Sequence, residues 1–171
     1  MTAAHLRLAD RESAVESDDK LELKVWLRLL TCTNLIESDV RSRLRDAFGT
    51  TLPRFDLLAQ LDRAPDGLTM GELSSRLMVT NGNVTALANA LVREGLVRRE
   101  RHPEDGRSAR LHLSPAGKRL FDAMTPVHEA WIDGIMAGMS RAELAQLLEL
   151  LAKLKKAAQR SRAVQQNRTG P

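Results

Sequence analysis

The sequence predicts a mainly α fold carrying one small β-hairpin, and three observations predict it. Two short capped helices follow one another closely between Thr69 and Glu94. Two strand-like stretches come next, joined by a loop with Asp105-Gly106-Arg107 at its tip. Longer helical segments lie at both ends of the chain and hold more apolar residues than a single buried stripe requires.

Composition sets the limits. The 171 residues suit one domain, or one domain with an added oligomerisation element. Hydrophobic residues make up 43% and aromatics 3%, with no tyrosine, so the core is expected to be aliphatic. No apolar run approaches the roughly 20 residues that cross a bilayer, and no signal-peptide h-region precedes the first helix. A soluble, cytoplasmic protein without a membrane partner is expected. The single cysteine, Cys32, excludes an intramolecular disulfide and a paired-cysteine zinc site. His5, His102, His112 and His128 lack metal-ligand spacing, so neither metal nor cofactor is expected. The net charge of +4 is unevenly spread: residues 1–19 carry two basic and five acidic side chains, and 153–171 carry six basic and no acidic ones.

Residues 1–17 lack hydrophobic periodicity and read as a flexible N-terminal arm. From Asp18 or Asp19 to Phe48 one long helix is expected, acidic at its start, rich in arginine near its end and stopped by Gly49. Its apolar residues, among them Leu21, Leu23, Val25, Trp26, Leu30 and Leu35, occupy more than one stripe. Pro53 suits the first turn of a second helix reaching about Arg63. Thr69-Met70-Gly71-Glu72 is a capping box that opens a helix to about Met78, with Leu73 and Leu77 inward. Thr80 caps a further helix, Asn81 to Glu94, with Val84, Leu87 and Leu91 inward and Gly95 as its stop. This close succession of helices fits a helix-turn-helix. Leu96 to Arg101 and Ser108 to Ser114 are the strand candidates, making a winged helix-turn-helix over 51–114. Ser114-Pro115 opens a helix, Ser140-Arg141-Ala142-Glu143 caps another, and both carry coiled-coil-like apolar seams. Residues 18–50 and 115–158 are therefore expected to form a helical dimerisation region, with 159–171 a flexible basic tail.

In a helix-turn-helix the second helix enters the major groove of duplex DNA and its early residues reach base edges. Those residues are Thr80, Asn81, Gly82, Asn83 and Thr85, with Asn89 further along. Asparagine can pair with adenine and the threonine methyl can touch the thymine methyl. Good capping accounts for Thr80 but not for three asparagines on one short helix. In the hairpin, Arg107 is placed to enter the narrow minor groove, with Asp105 orienting it. Arg98, Arg99 and Arg110 fit a solvated surface equally well; Arg99 is retained as a candidate contact.

From about Asp18 to Ala158 the chain resembles the MarR (multiple antibiotic resistance regulator) family of bacterial transcription regulators. The resemblance rests on helix order, on Gly95-Leu96-Val97-Arg98-Arg99, and on Asp105-Gly106-Arg107 followed by Leu111-His112-Leu113-Ser114-Pro115-Ala116-Gly117. It implies a homodimer on a pseudo-palindromic operator, usually a repressor released by a small ligand. The chain departs from the family after Thr85, where an Arg and then an Asp-Arg pair are common and Ala86, Asn89 and Ala90 stand here.

In relatives the effector lies among the first, second and fifth helices. That places Trp26, Arg28, Leu30, Arg54, Phe55, His128 and Trp131 in the candidate ligand site, although core packing explains the apolar ones as readily. Thr51-Leu52-Pro53-Arg54-Phe55-Asp56 is similar to members that sense aromatic acids or their CoA thioesters. Cys32, mid-helix among apolar residues, reads as a structural cysteine rather than a redox sensor. The expected function is a ligand-responsive repressor acting on double-stranded DNA and not an enzyme. The alternatives are a winged module that binds protein and a regulator without an effector.

Overall fold

Gly49 fixes the end of the first helix. In the computed structural model, which describes residues 20–77, 81–101 and 109–168, Gly49 adopts a left-handed φ of 59° and its N–H donates to the Arg45 carbonyl at 2.9 Å. Helix α1 spans Leu21–Phe48 and α2 Leu52–Asp62. Strand β1 is Leu68–Thr69, followed by α3, Met70–Leu77, and α4, Asn81–Arg93. The hairpin strands are β2, Val97–Arg101, and β3, Ala109–Leu113; α5, Pro115–Met136, and α6, Arg141–Arg168, complete the order. The fold is mainly helical with a small antiparallel sheet, as the sequence predicts.

Both capping boxes form as written. The Glu72 carboxylate accepts from the Thr69 N–H at 2.8 Å and the Thr69 hydroxyl at 2.9 Å, and the Thr69 Oγ1 accepts from the Glu72 N–H at 3.2 Å. Ser140 and Glu143 repeat the pattern, with the carboxylate accepting at 2.8 Å from both the N–H and the hydroxyl. These bonds satisfy helix-start donors that would otherwise lack partners. They also hold the Glu72 and Glu143 carboxyls below the ordinary glutamate range.

The sheet has one strand more than the sequence reading expects. Its order is β1-β3-β2, with Leu68 opposite Leu111 and Val97 opposite Leu113. Two residues are too few to show a period-two pattern, so β1 leaves no trace in the sequence. It exists because buried Leu68 meets buried Leu111, and because Arg110 Nη1 donates to the Gly67 carbonyl at 2.9 Å. Gly67 itself has φ 71° and lies against the His112 ring, where a Cβ would collide.

Buried side chains link the helices to the sheet. Leu44 of α1, Leu57 and Leu58 of α2, Leu73 of α3 and Leu91 of α4 lie with Leu111 and Met124 in the core. The stripe on α4 differs from the sequence reading: Ala88 is buried beside Val84 and Leu91, while Leu87 is half-buried. Leu77 is also half-buried. The smaller Ala88 lets α4 lie close to its neighbours, and the face opposite turns to solvent accordingly.

A second correction concerns the end of the chain. The expected flexible tail begins after Ala158, but α6 continues to Arg168. Ala157, Ala158, Gln159, Arg160, Arg162 and Ala163 are good helix formers, and the first breaker is Gly170. In α5 the helix passes through Pro126, and the Thr125 hydroxyl donates to the Phe121 carbonyl at 2.9 Å. The expected start of α1 at Asp18 or Asp19 and the 1–17 arm lie outside the described residues.

The chain divides into two units, 1–129 and 130–171. In the first, α1 exposes Leu21, Leu23, Val25, Trp26 and Leu35. In the second, α6 exposes Leu147, Leu148, Leu150, Leu151, Leu154 and Val164. Among the described residues no helix is long and apolar enough to cross a membrane.

The start of α5 joins several elements. Ser114 Oγ donates to the Gly95 carbonyl at 2.6 Å and accepts from the Gly117 N–H at 2.9 Å, while the Ser114 N–H donates to the Leu96 carbonyl at 3.0 Å. Gly95 needs its φ of 73° to stop α4 there, and a Cβ on Gly117 would overlap the Leu96 carbonyl oxygen. Gly117→Ala is therefore expected to destabilise the fold by about 1–3 kcal/mol. A urea titration at unchanged m-value measures it, and no change in midpoint would disprove the close approach.

The Glu72 shift predicts a pH dependence with a definite sign. Its folded pKa is depressed, so its contribution is present above about pH 4.5 and is lost as the pH falls through the lower folded value. Thermal melts of wild type and Glu72→Gln should show a gap at neutral pH that closes in acid. A gap that widens there would contradict the assignment.

Candidate nucleic-acid interface

Helix α4 is held so that one face is buried and the opposite one is polar. Val84, Ala88 and Leu91, at i, i+4 and i+7, anchor it, leaving Asn83, Thr85, Ala86 and Asn89 exposed. Asn81 and Gly82 form the first turn of its backbone. Thr80, Asp105 and Arg107 lie outside the described residues.

Two contacts fix the orientation of α4. Immediately after the helix, the Glu94 carboxylate receives both terminal nitrogens of Arg54 from α2, the Nη1 bond measuring 2.8 Å and the Nη2 bond closing the pair. Such a two-pronged pair is directional as well as attractive, and it holds the Glu94 carboxyl below its ordinary range. On the flank of α4, Arg99 Nη2 of β2 donates to Asn89 Oδ1 at 2.9 Å. The structure thus brings together Asn89 and Arg99, two of the candidate contacts.

Two other hairpin arginines, Arg98 and Arg110, are occupied within the fold. Arg98 pairs with Glu100, which also lies 3.3 Å from His112 Nε2. Arg110 donates to the Gly67 carbonyl and sits 3.8 Å from Glu72, so it holds β1 rather than forming part of a solvated surface.

The candidate ligand residues separate into groups. Phe55 is buried and stacks on His128, with centroids 4.6 Å apart, and meets Phe121 at 5.5 Å. Burial pushes the His128 pKa down, favouring the neutral ring. Trp26 and Arg28 are exposed on α1 and Leu30 is half-buried there, while Trp131 is half-buried in the second unit. Arg54 is committed to Glu94, a partner 40 residues away that local sequence patterns do not reveal. Cys32 is exposed.

A cavity that sequence reasoning did not anticipate, of about 500 Å³, lies between the end of α2, the hairpin base and the start of α5. Leu61, Asp62, Arg98, His112, Leu113 and Lys118 are among its walls. Its charges are balanced internally: Lys118 reaches Asp62 at 2.9 Å and Asp122 at 2.6 Å, and Glu100 serves both Arg98 and His112.

Comparison with known proteins agrees with this arrangement. Residues 48–108 match the model of the MarR family. The chain is 33% identical over 149 residues to an uncharacterized HTH-type transcriptional regulator, YkoM, of Bacillus subtilis, covering 86% of this chain and 92% of that protein. A MarR family transcriptional regulator from Silicibacter pomeroyi superimposes with a TM-score of 0.70 at 32% identity, over 84% of this chain and 99% of that one. Streptococcus pneumoniae FabT, solved in complex with DNA, gives a TM-score of 0.68 at 26% identity, over 81% of this chain and 97% of that one. By sequence and by structure, the chain belongs to the MarR family of transcriptional regulators.

Proposed function

We propose that the protein is a homodimeric, sequence-specific DNA-binding regulator that represses from a pseudo-palindromic operator and acts in the cytoplasm. The observation that carries this reading is the exposed face of α4. Asn83, Thr85 and Asn89 present hydrogen-bonding groups without a carboxylate among them, beside the cationic Arg99. Such a surface suits base edges and phosphates, which an acidic one would repel. The likeness to FabT, solved with DNA, supports the same assignment. Asp105 and Arg107 we assign from sequence to the minor groove, and Thr80, Asn81 and Gly82 to the start of the reading helix.

Dimerisation is inferred from the apolar side chains that each unit leaves in solvent, on α1 in one and on α6 in the other. A soluble chain seldom exposes so many large aliphatic residues on its helices without a partner. For the effector we infer an aromatic acid or its CoA thioester, with the Phe55–His128 stack as the aromatic wall and Trp26, Arg28 and Leu30 of α1 contributing. Arg54 leaves this set because Glu94 holds its guanidinium.

Mobility-shift titration with duplex from upstream of the protein's own gene tests the DNA reading. Arg107→Ala should lose about 1–3 kcal/mol of affinity while light scattering still reports a dimer. Undiminished binding would remove Arg107 from the interface. Calorimetry with phenolic acids and their CoA thioesters tests the effector: binding of one of them, weakened by Phe55→Ala, is expected, and silence across the panel would defeat the assignment.

A further inference from the structure

The contact between β2 and α4 does more than join two elements; it decides which chemistry Asn89 can present. A free asparagine is ambivalent, since its amide offers an acceptor at Oδ1 and two donors at Nδ2, and adenine needs both. Asn89 is not free to choose. Arg99 Nη2 lies 2.9 Å from its Oδ1, and a guanidinium has donors only, so the oxygen must face β2 and the Nδ2 must point away. Among the described residues that Nδ2 has no hydrogen-bond partner, and Asn89 is exposed. Nor is Arg99 neutralised by a carboxylate among the described residues, since neighbouring Glu100 pairs with Arg98 and His112.

We propose that Arg99 fixes Asn89 as a hydrogen-bond donor, so that this position of α4 selects guanine over adenine in the major groove. The inference rests on α4 being the DNA-reading helix. Guanine presents two adjacent acceptors, N7 and O6, which the Asn89 Nδ2 amino group can serve. Adenine presents N7 beside the N6 amino group. To accept from that amino group, Asn89 would have to turn its oxygen away from Arg99. Otherwise the adenine amino group meets Asn89 Nδ2, donor against donor. Asn89 is the specificity-determining residue here and Arg99 its positioning residue.

Selection of bound duplexes from a randomised library, using the full chain as wild type, Asn89→Ala and Arg99→Ala, tests this. Wild type should enrich guanine at one column of each half-site, and Asn89→Ala should flatten that column alone. Arg99→Ala frees the amide and should move the guanine-to-adenine ratio at the same column toward adenine by roughly tenfold. A purely structural role for Arg99 would instead weaken all sequences alike and leave the column unchanged, overturning the proposal. Adenine at that column in wild type, or a column indifferent to Asn89→Ala, would overturn it as well. Enrichment of no sequence by wild type would overturn the DNA reading itself, and the inference with it. Both substituted side chains are exposed, and matching melting temperatures confirm that the variants are folded.

Discussion

The hydrogen bonds around Ser114 are the constraint on which the rest depends. One hydroxyl links the turn after α4, the exit of β3 and the first turn of α5, and it does so over a glycine that admits the Leu96 carbonyl. Three chain directions are set within a few residues. Helix α4 cannot rotate without moving Gly95, and the hairpin cannot tilt without moving Ser114. Such coupling places side chains on α4 and β2 at a fixed separation, which a surface that reads base edges requires.

Around that constraint the charges are distributed with economy. Arg54 braces α4 from α2, Arg110 braces the β1 turn, and Lys118 ties α5 to Asp62 of α2. Each is a cation that a charge count assigns to a general basic surface, and each is engaged within the fold. What the earlier turns of α4 expose is accordingly uncharged (Asn83, Thr85, Ala86 and Asn89), with Arg93 in its last turn and Arg99 of β2 beside it. A regulator built this way relies on local geometry rather than on an overall positive field, in keeping with a net charge of only +4.

Much of this was legible in the chain itself. The two capping boxes, the glycines at 49 and 95 and the Ser-Pro at 114–115 are local rules, satisfied by residues within a turn of each other, and the helices start and stop where those rules say. The failures share a different cause. Strand β1 depends on Leu111, more than 40 residues away in sequence, and Arg54 depends on Glu94. The inward place of Ala88 depends on how closely α4 approaches its neighbours, which periodicity alone does not specify. The extent of α6 escapes a reading of polarity, because alanine, glutamine and arginine favour a helix as well as they favour water. For the candidate site, the sequence marked Asn89 and Arg99 separately; only the fold shows the hydrogen bond between them.

The strand order has a consequence for the protein's life in a crowded solution. Because β3 is central, β2 is an edge, with a row of backbone groups open to pairing with any extended chain that drifts past. Four of its five residues, Arg98, Arg99, Glu100 and Arg101, are charged, and the opposite edge, β1, is only two residues long. Like charges brought edge to edge repel, so these side chains deter aggregation at that edge. Any lineage that exchanged those arginines for uncharged residues would have to guard that edge in some other way.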